Sequence, residues 1–494
     1  MSSQQVNIST GIAGLDSILA GGLLPGRLYL IEGEPGTGKT TTALHFLMEG
    51  AARGEPVLYI TLAESEIELR AVAASHGWAL DGVDIHEVIA GDRLLDASQQ
   101  YTMFHPAEVE MGDTIQRILQ VISERKPSRV VLDSLSELQL LAESPLRYRR
   151  QVLALKQFLG SEGCTAYFLD DRTAKNGDLQ VRSVAHAVLS FEQQTKEYGD
   201  ERRRVRIVKY RGVSFRGGYH DYKIVYGGMV LYPRLIAAQT RNVSSPEKAG
   251  SGITQLDAML GGGLERGTST LISGPPGTGK SSLGAQFVHA ALARGERAAM
   301  FLFEESASNL LNRAQAMNMN LRDALEDGRL AIRQVDPAEL SPGEFVHAVC
   351  AAAHAGSRVI VIDSINGFMN AMPDERLLTT HLHELLTFLG QTGVVSLLVG
   401  VQPGMLGGGA STALDTSYLA DNIIMLRYFE AQGEVRQAIA IFKKRGGEHE
   451  RMLRCFTLTH NGIEVGAVLR EFQGVLTGVP NMRAGDAPRA GTHG

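Results

Sequence analysis

The sequence predicts an α/β protein written twice, as two tandem domains, each a mostly parallel sheet flanked by helices with an antiparallel extension. Three observations carry that expectation. Short, wholly apolar runs alternate with stretches of helical periodicity, as parallel strands buried under helices on both faces require. The same landmarks recur in the same order in both halves. A glycine-rich loop motif, GxxxxGK[ST], stands between a strand and a helix in each half.

The repeat is explicit. GIAGLD at 11–16 and GGL at 21–23 return as GITQLD at 252–257 and GGL at 262–264. GEPGTGKT at 33–40 returns as GPPGTGKS at 274–281, with Lys39 and Lys280 241 residues apart. RVVLDS at 129–134 matches RVIVIDS at 358–364, and VKYRG at 208–212 matches FKKRG at 442–446. That period is far too long for a solenoid and indicates a duplicated domain. The polar stretch IAAQTRNVSSPEKAG at 236–250 marks the boundary. Residues 1–240 form the expected first domain and 247–479 the second. The small, polar, aperiodic tail 480–494 is expected to lack regular structure.

In the first copy, Leu28–Glu32 reads as a strand, Lys39 to Ala52 as a helix, and Val57–Leu62 as a second strand. Ile115–Ser123 has helical periodicity and leads into the strand Arg129–Leu132. Helical Tyr148–Leu159 then feeds the strand Thr165–Leu169. Ser183–Phe191, Arg203–Tyr210 and Tyr222–Tyr226 read as consecutive strands forming the antiparallel extension.

Composition narrows the class. Of 494 residues, 48 are Lys or Arg and 54 Asp or Glu, a net charge of −6. Such a balance supplies no basic face for a phosphate backbone, so nucleic acid is not an expected partner. Cys164, Cys350 and Cys455 are far apart, odd in number and set among apolar neighbours. They encode neither a disulfide framework nor a zinc ribbon and read as buried thiols. The N-terminal stretch lacks the basic start and apolar core of a signal peptide, and no apolar run is long enough to cross a bilayer. A cytoplasmic protein without membrane contact is expected.

The GxxxxGK[ST] motif is a phosphate cradle. Its glycines let successive backbone N–H groups converge on one anion, its lysine reaches the β/γ-phosphates and its hydroxyl ligates Mg²⁺. The nucleotide residues are therefore Gly36, Thr37, Gly38, Lys39, Thr40 and Thr41 in the first copy. In the second they are Gly277, Thr278, Gly279, Lys280, Ser281 and Ser282. ATP and Mg²⁺ are the expected cofactors. Asp133 and Asp363 each end an apolar strand downstream of a loop and, with Thr40 and Ser281, are the metal candidates.

Hydrolysis or transfer further needs a carboxylate beside the γ-phosphate. The strand after the loop helix ends in Glu304–Glu305 in the second copy and in Ala63–Glu64 in the first. Adjacent strand residues point to opposite sides, so one of a pair can face the phosphate. The plainer reading is an N-cap or solvated glutamate before the next helix. Because one acid is missing from the first copy, unequal chemistry is expected at the two sites. The pairs Lys209/Arg211 and Lys443/Arg445 alternate at a strand end, so each pair can reach one anion. A neighbouring subunit's γ-phosphate would fit; charged edge strands that resist aggregation are the plainer alternative.

On these residues the chain resembles the KaiC family, two-domain ATPases and autokinases of bacterial circadian systems within the RecA/DnaB-like ATPases. The resemblance covers about residues 5 to 475. It is carried by both loops with their lead-ins, FEES at 303–306, ERRR at 201–204 and FKKRGGEHE at 442–450. It implies two RecA-like P-loop NTPase domains in a homo-hexameric double ring with ATP between subunits. The first ring would mainly hydrolyse ATP. The second would transfer phosphate to a Ser–Thr pair of the adjacent subunit, with Glu304 as base for the acceptor hydroxyl and Glu305 beside it. LADNIIMLRYFE at 419–430 matches the family segment after the phosphoacceptors. Ser417 then occupies the serine position as acceptor, while Tyr418 replaces the threonine. With Ala63 at the leading position of the first copy, Glu64 must serve there. A KaiB-like partner on the first ring fits the resemblance. The tail after Val479 has no amphipathic docking pattern for a KaiA-type activator. Two other classes compete: a RecA/RadA-like DNA-dependent ATPase, and a nucleotide-gated scaffold with little turnover.

Overall fold

Each half of the chain folds around a nine-stranded sheet. The computed structural model describes residues 6–88, 106–142, 144–171, 179–196, 198–239, 247–370, 377–401, 418–475 and 481–482. By internal contacts the chain divides between Arg234 and Leu235. The strands of the first unit are β1 (Leu28–Gly33), β2 (Val57–Thr61), β3 (Val83–Glu87), β4 (Arg129–Asp133), β5 (Thr165–Asp170), β6 (Ala187–Gln194), β7 (Arg202–Tyr210), β8 (Tyr219–Val225) and β9 (Gly228–Tyr232). They lie in the order β3-β2-β4-β5-β1-β6-β7-β8-β9.

The second unit opens with a two-residue pair, β10 (Lys248–Ala249) and β11 (Leu264–Glu265). Its main sheet comprises β12 (Ser269–Gly274), β13 (Arg297–Leu302), β14 (Leu330–Gln334), β15 (Ser357–Asp363), β16 (Val395–Val401), β17 (Asn422–Ala431), β18 (Glu434–Lys444), β19 (Arg454–Thr459) and β20 (Gly462–Val468). The order β14-β13-β15-β16-β12-β17-β18-β19-β20 repeats that of the first sheet strand for strand.

The apolar runs have the expected cause. Tyr29 and Ile31 of β1, with Tyr59 of β2 and Val131 of β4, enter one core. Leu28, Leu30, Leu58, Ile60, Val130 and Leu132 enter another. Alternate residues face opposite sides of a strand, so a strand covered on both faces must be apolar throughout. Each such side chain contributes roughly 1.5–3 kcal/mol of burial. At the parallel end of the sheet the strands stop in one row, and β1 and β12 pass directly into the loops that open the helices Lys39–Ala52 and Lys280–Ala293.

Four expectations change. The segment from Ser183 does not start a strand. Leu179–Val184 is helical, and Lys209, Arg211 and Lys156 donate to its successive carbonyls, those of Arg182, Ser183 and Val184. Cations at a helix C-terminus satisfy carbonyls left without an intrahelical partner. β6 runs parallel to β1, so the antiparallel extension begins one strand later, at the β6–β7 pair. Asn481–Met482 pairs with Phe472–Gln473, so the chain past residue 480 first returns to a short ladder. Cys164 and Cys350 are buried, their thiols pushed up to about 11 and about 12 chiefly by burial, but Cys455 is only partly covered.

The lead-in motifs are structural clasps. Asp16 accepts from Ser9 Oγ (2.7 Å), Thr10 N (2.9 Å) and Thr10 Oγ1 (2.7 Å). Asp257 likewise accepts from Ser251 N (2.6 Å) and Ser251 Oγ (2.8 Å). A buried ion pair completes each unit. Arg129, 0% exposed, meets both oxygens of Glu55 (2.6 and 3.0 Å) and donates to the carbonyls of Ser9 (2.8 Å) and Phe46 (2.9 Å). Glu296, at the equivalent position of the second unit, pairs instead with Arg266 from the turn before β12.

Hydrogen bonding to Arg129 holds Glu55 below the usual carboxylate range. A depressed folded-state value adds stability above the unfolded glutamate pKa, which is lost as pH falls through the folded value. Trp78, the single tryptophan, lies in the first unit and reports on it selectively. Glu55→Gln should cost about 1–3 kcal/mol at pH 7 in Trp78-detected denaturation, and the gap to wild type should narrow below about pH 4.5.

Candidate functional site

The first loop turns on glycines with positive φ, 83° at Gly36 and 81° at Gly38. Gly38 is the N-cap of the helix Lys39–Ala52 and leaves that helix end without a side-chain cap. Its free N–H groups therefore face the cleft, together with the positive end of the helix dipole. A Cβ at Gly38 would lie 2.6 Å from Ile224 Cδ1 and 3.0 Å from Met229 Cε. The antiparallel extension is thus the wall against which the loop is pressed, and Tyr222 Oη also donates to Thr37 O at 2.7 Å. Thr37 Oγ1 closes the turn on Glu34 O at 2.7 Å.

A cleft of about 320 Å³ opens at this loop, lined by Gly36, Gly38, Lys39, Thr40, Thr41, Ala63, Glu64, Asp133, Ser134, Glu137 and Asp171, among others. Lys39 has all three N–H groups placed: on Gly33 O (2.9 Å), on Glu34 O (3.0 Å) and on Asp171 Oδ1 (2.9 Å). Thr40 Oγ1 is 3.5 Å from Asp133 Oδ2, an oxygen that also accepts from Tyr59 Oη at 2.5 Å. Burial pushes Asp133 above the usual carboxylate range, against the opposing effect of the Tyr59 bond. Glu64 is open to solvent at the cleft. Partial desolvation, then the negative charges of Asp133, Glu68 and Asp171, still raise its pKa.

The second loop repeats the design, with Gly277 at φ 79° and the N-cap Gly279 at φ 92°. Thr278 Oγ1 closes on Pro275 O at 2.8 Å, and Lys280 Nζ donates to the same carbonyl at 2.7 Å. Burial lowers the pKa of Lys280. Ser281 and Ser282 follow on the helix, and Ser281 hydrogen-bonds Asp363. Burial raises Asp363, and its Oδ2 is a buried oxygen with no hydrogen-bond partner. A buried, unpartnered carboxylate oxygen beside a hydroxyl offers the oxygen ligands that Mg²⁺ takes. By that observation the residues fit the ion.

The expected strand ends fall short of the acids: β2 stops at Thr61 and β13 at Leu302, so Ala63–Glu64 and Glu304–Glu305 lie in the bends that follow, where the two glutamates of the second unit part. Glu304 Oε1 accepts from Ser364 Oγ at 2.8 Å, and Glu305 is ion-paired with Arg313 on the next helix. Neither is an N-cap: Ser65 and Ser306 cap the helices Glu66–Ser75 and Ala307–Ala316.

The basic pairs do not join the loops of their own units. Phe191, opposite Gly33 of the first loop, faces Val205 on β7, whereas Lys209 faces Val188, four residues or roughly 13 Å further along. Lys209 and Arg211 cap the short helix. Lys443 donates to Ala420 O (2.7 Å), and Arg445 pairs with Asp421 (3.0 Å) while remaining 65% exposed. Ser417 lies outside the described residues; Tyr418 beside it is exposed. Asp171 and Tyr59 went unnoticed in the sequence. Neither has a counterpart in the other copy, so the repeat could not reveal them. The available signal was that Asp171 directly follows β5, a parallel strand beside β1, where ligands of such sheets bind.

The fold and these two loops define a tandem P-loop ATPase. The "ATPase: KaiC" family model matches residues 8–236 and 249–469, and the chain belongs to the KaiC family. It is 30% identical to circadian clock protein KaiC3 of Synechocystis sp. (strain ATCC 27184 / PCC 6803 / Kazusa), over 97% of this chain and 95% of that protein. It is 29% identical to circadian clock oscillator protein KaiC of Parasynechococcus marenigrum (strain WH8102), over 97% and 94%. With the protein of that name from Acaryochloris marina (strain MBIC 11017) the figures are 28%, 98% and 92%. Among the described residues no helix is long and apolar enough to cross a membrane.

A Cβ at Gly279 would stand 3.0 Å from Leu458 Cδ1 and 3.1 Å from Phe456 Cε1. Left-handed backbone costs an ordinary residue about 1–2 kcal/mol before any crowding. Gly38→Ala and Gly279→Ala should therefore each destabilise their unit by about 1–3 kcal/mol in thermal denaturation and weaken nucleotide binding there.

Proposed function

We propose that the protein is a Mg²⁺-dependent ATPase whose second unit also phosphorylates its own chain, assembled as a homo-hexamer in bacterial signalling or timing. The observation that carries the transfer step is the placing of Glu304. Ser364 holds it beside Lys280 and Asp363, while its neighbour Glu305 is engaged by Arg313.

In this reading the loop amides and helix end of each unit hold the phosphates, and Lys39 or Lys280 turns toward the β/γ oxygens. Thr40 with Asp133, and Ser281 with Asp363, would hold the ion. When bound, Mg²⁺ neutralises charge on the phosphate oxygens. Glu304 takes the proton of the acceptor hydroxyl, for which Ser417 is the candidate. The first unit retains Glu64, three residues past β2, as the carboxylate at that position.

The separation of Lys209/Arg211 and Lys443/Arg445 from their own loops supports a reach to a neighbouring subunit's γ-phosphate, as an intersubunit site needs. The relatives named as clock proteins favour a timing role, with a KaiB-like protein as partner of the first ring. The acidic balance disfavours a DNA-dependent role.

With γ-³²P-ATP, label should appear on the chain and fall at least 10²-fold in Glu304→Gln, the usual scale of an acid–base group. Ser417→Ala should abolish it. Lys39→Ala and Lys280→Ala should each remove one unit's share of turnover. Label that survives both Glu304→Gln and Ser417→Ala would refute the autokinase.

A further inference from the structure

The two units have exchanged the position of one carboxylate. In the second, the serine after the strand-ending aspartate, Ser364, donates to Glu304 Oε1 at 2.8 Å. In the first, Ala63 stands where Glu304 would, and the equivalent serine, Ser134, donates instead to Asp171 Oδ2 at 3.2 Å. The other oxygen, Asp171 Oδ1, meets Lys39 Nζ at 2.9 Å.

Asp171 follows the last residue of β5, and the strand register shows what replaces it. Glu32 on β1 pairs with Asp170, and Ser273 on β12 pairs with Gly400, so the residue equivalent to Asp171 is Val401. One unit has alanine just past the end of β2 and aspartate just past the end of β5; the other has glutamate just past β13 and valine as the last residue of β16. In both, an acid takes the serine hydroxyl and lies close to the loop lysine.

Glu64 does not fill that place. It corresponds to Glu305, and its backbone is locked in a turn in which Thr61 Oγ1 donates to Glu64 O (2.7 Å) and Glu64 N donates back to Thr61 Oγ1 (3.0 Å). Its side chain lines the cleft but is open to solvent. Asp171 is held at both oxygens.

We infer that Asp171 supplies, from the end of β5, the carboxylate that the first unit lacks at Ala63, and that it serves hydrolysis there. This rests on the reading of the cleft as a nucleotide pocket. As Lys39 turns toward the phosphates, Asp171, anchored by Ser134, accepts a hydrogen bond from the attacking water. The water oxygen bonds to the γ-phosphorus as the bond from phosphorus to the β–γ bridging oxygen breaks. ADP leaves with that electron pair, and the water proton passes to Asp171 and on to bulk water.

The test uses the full-length chain carrying Lys280→Ala, so that only the first site turns over. Asp171→Asn should lower kcat about 10²-fold or more, with affinity for a fluorescent ATP analogue unchanged or tighter. Moving the acid back, in Ala63→Glu/Asp171→Val, should restore at least a tenth of the lost turnover, which a packing role for Asp171 would not do. The converse is read in a chain carrying Lys39→Ala, where Glu304→Ala abolishes second-site turnover and added Val401→Asp returns part of it. Wild-type kcat in Asp171→Asn, or relocated acids that bind ATP yet stay inactive in both units, would overturn the inference. A Lys280→Ala chain that binds no ATP would instead overturn the pocket reading, and this inference with it.

Discussion

The convergence of backbone N–H groups at the start of one helix is the constraint on which each unit is built. It requires positive φ at Gly38 and Gly279, and it requires that the neighbouring wall come close enough to keep the loop from relaxing. That wall is the antiparallel extension, through Ile224 and Met229 in one unit and Phe456 and Leu458 in the other. The extension is part of the site for this reason, independently of the basic pairs it carries. Once the loop is set, the next residues follow without further instruction. The lysine starts the helix, the hydroxyl comes next, and the strand-ending aspartate meets that hydroxyl across the sheet edge.

Much of this was legible because it is dictated by local pattern. Apolar strands buried on both faces, a glycine-rich turn and a following helix announce themselves, and the duplication allows each half to check the other. The misreadings share a cause. Val83–Glu87, absent from the sequence reading, is an edge strand in which only Val83 is buried, so it lacks the apolar run that marked its neighbours. The helix Leu179–Val184 is short and owes its end to cations arriving from β7 and from the helix Pro145–Ser161, which no local pattern foretells. Tyr59 and Asp171 act through residues 74 and 37 positions away. Such contacts come from tertiary structure, and a residue present in only one copy has no echo to draw attention to it.

The two sites are alike in frame and unlike in chemistry. Asp133 Oδ2 is already engaged by Tyr59, whereas Asp363 Oδ2 is buried and unpartnered. Lys39 sits on a carboxylate at 2.9 Å, whereas valine ends the matching strand of the second unit. Charge therefore crowds the first cleft, where burial and then the neighbouring carboxylates, Asp171 among them, raise both Glu64 and Asp133. In the second, Arg313 draws Glu305 aside and leaves a single acid with Ser364.

The half-buried glutamate of each unit tells of the history of the duplication. Glu55 and Glu296 hold the same position, yet one meets Arg129 at the start of β4 and the other Arg266 in the turn before β12, with Arg294 alongside. After the copies parted, each settled the same debt of charge with a different creditor. A hybrid with the front of the second copy and the back of the first would gather Arg129, Arg266 and Arg294 around one glutamate, and the reverse splice would lack both Arg129 and Arg266. At this ion pair the halves have thus ceased to be interchangeable parts.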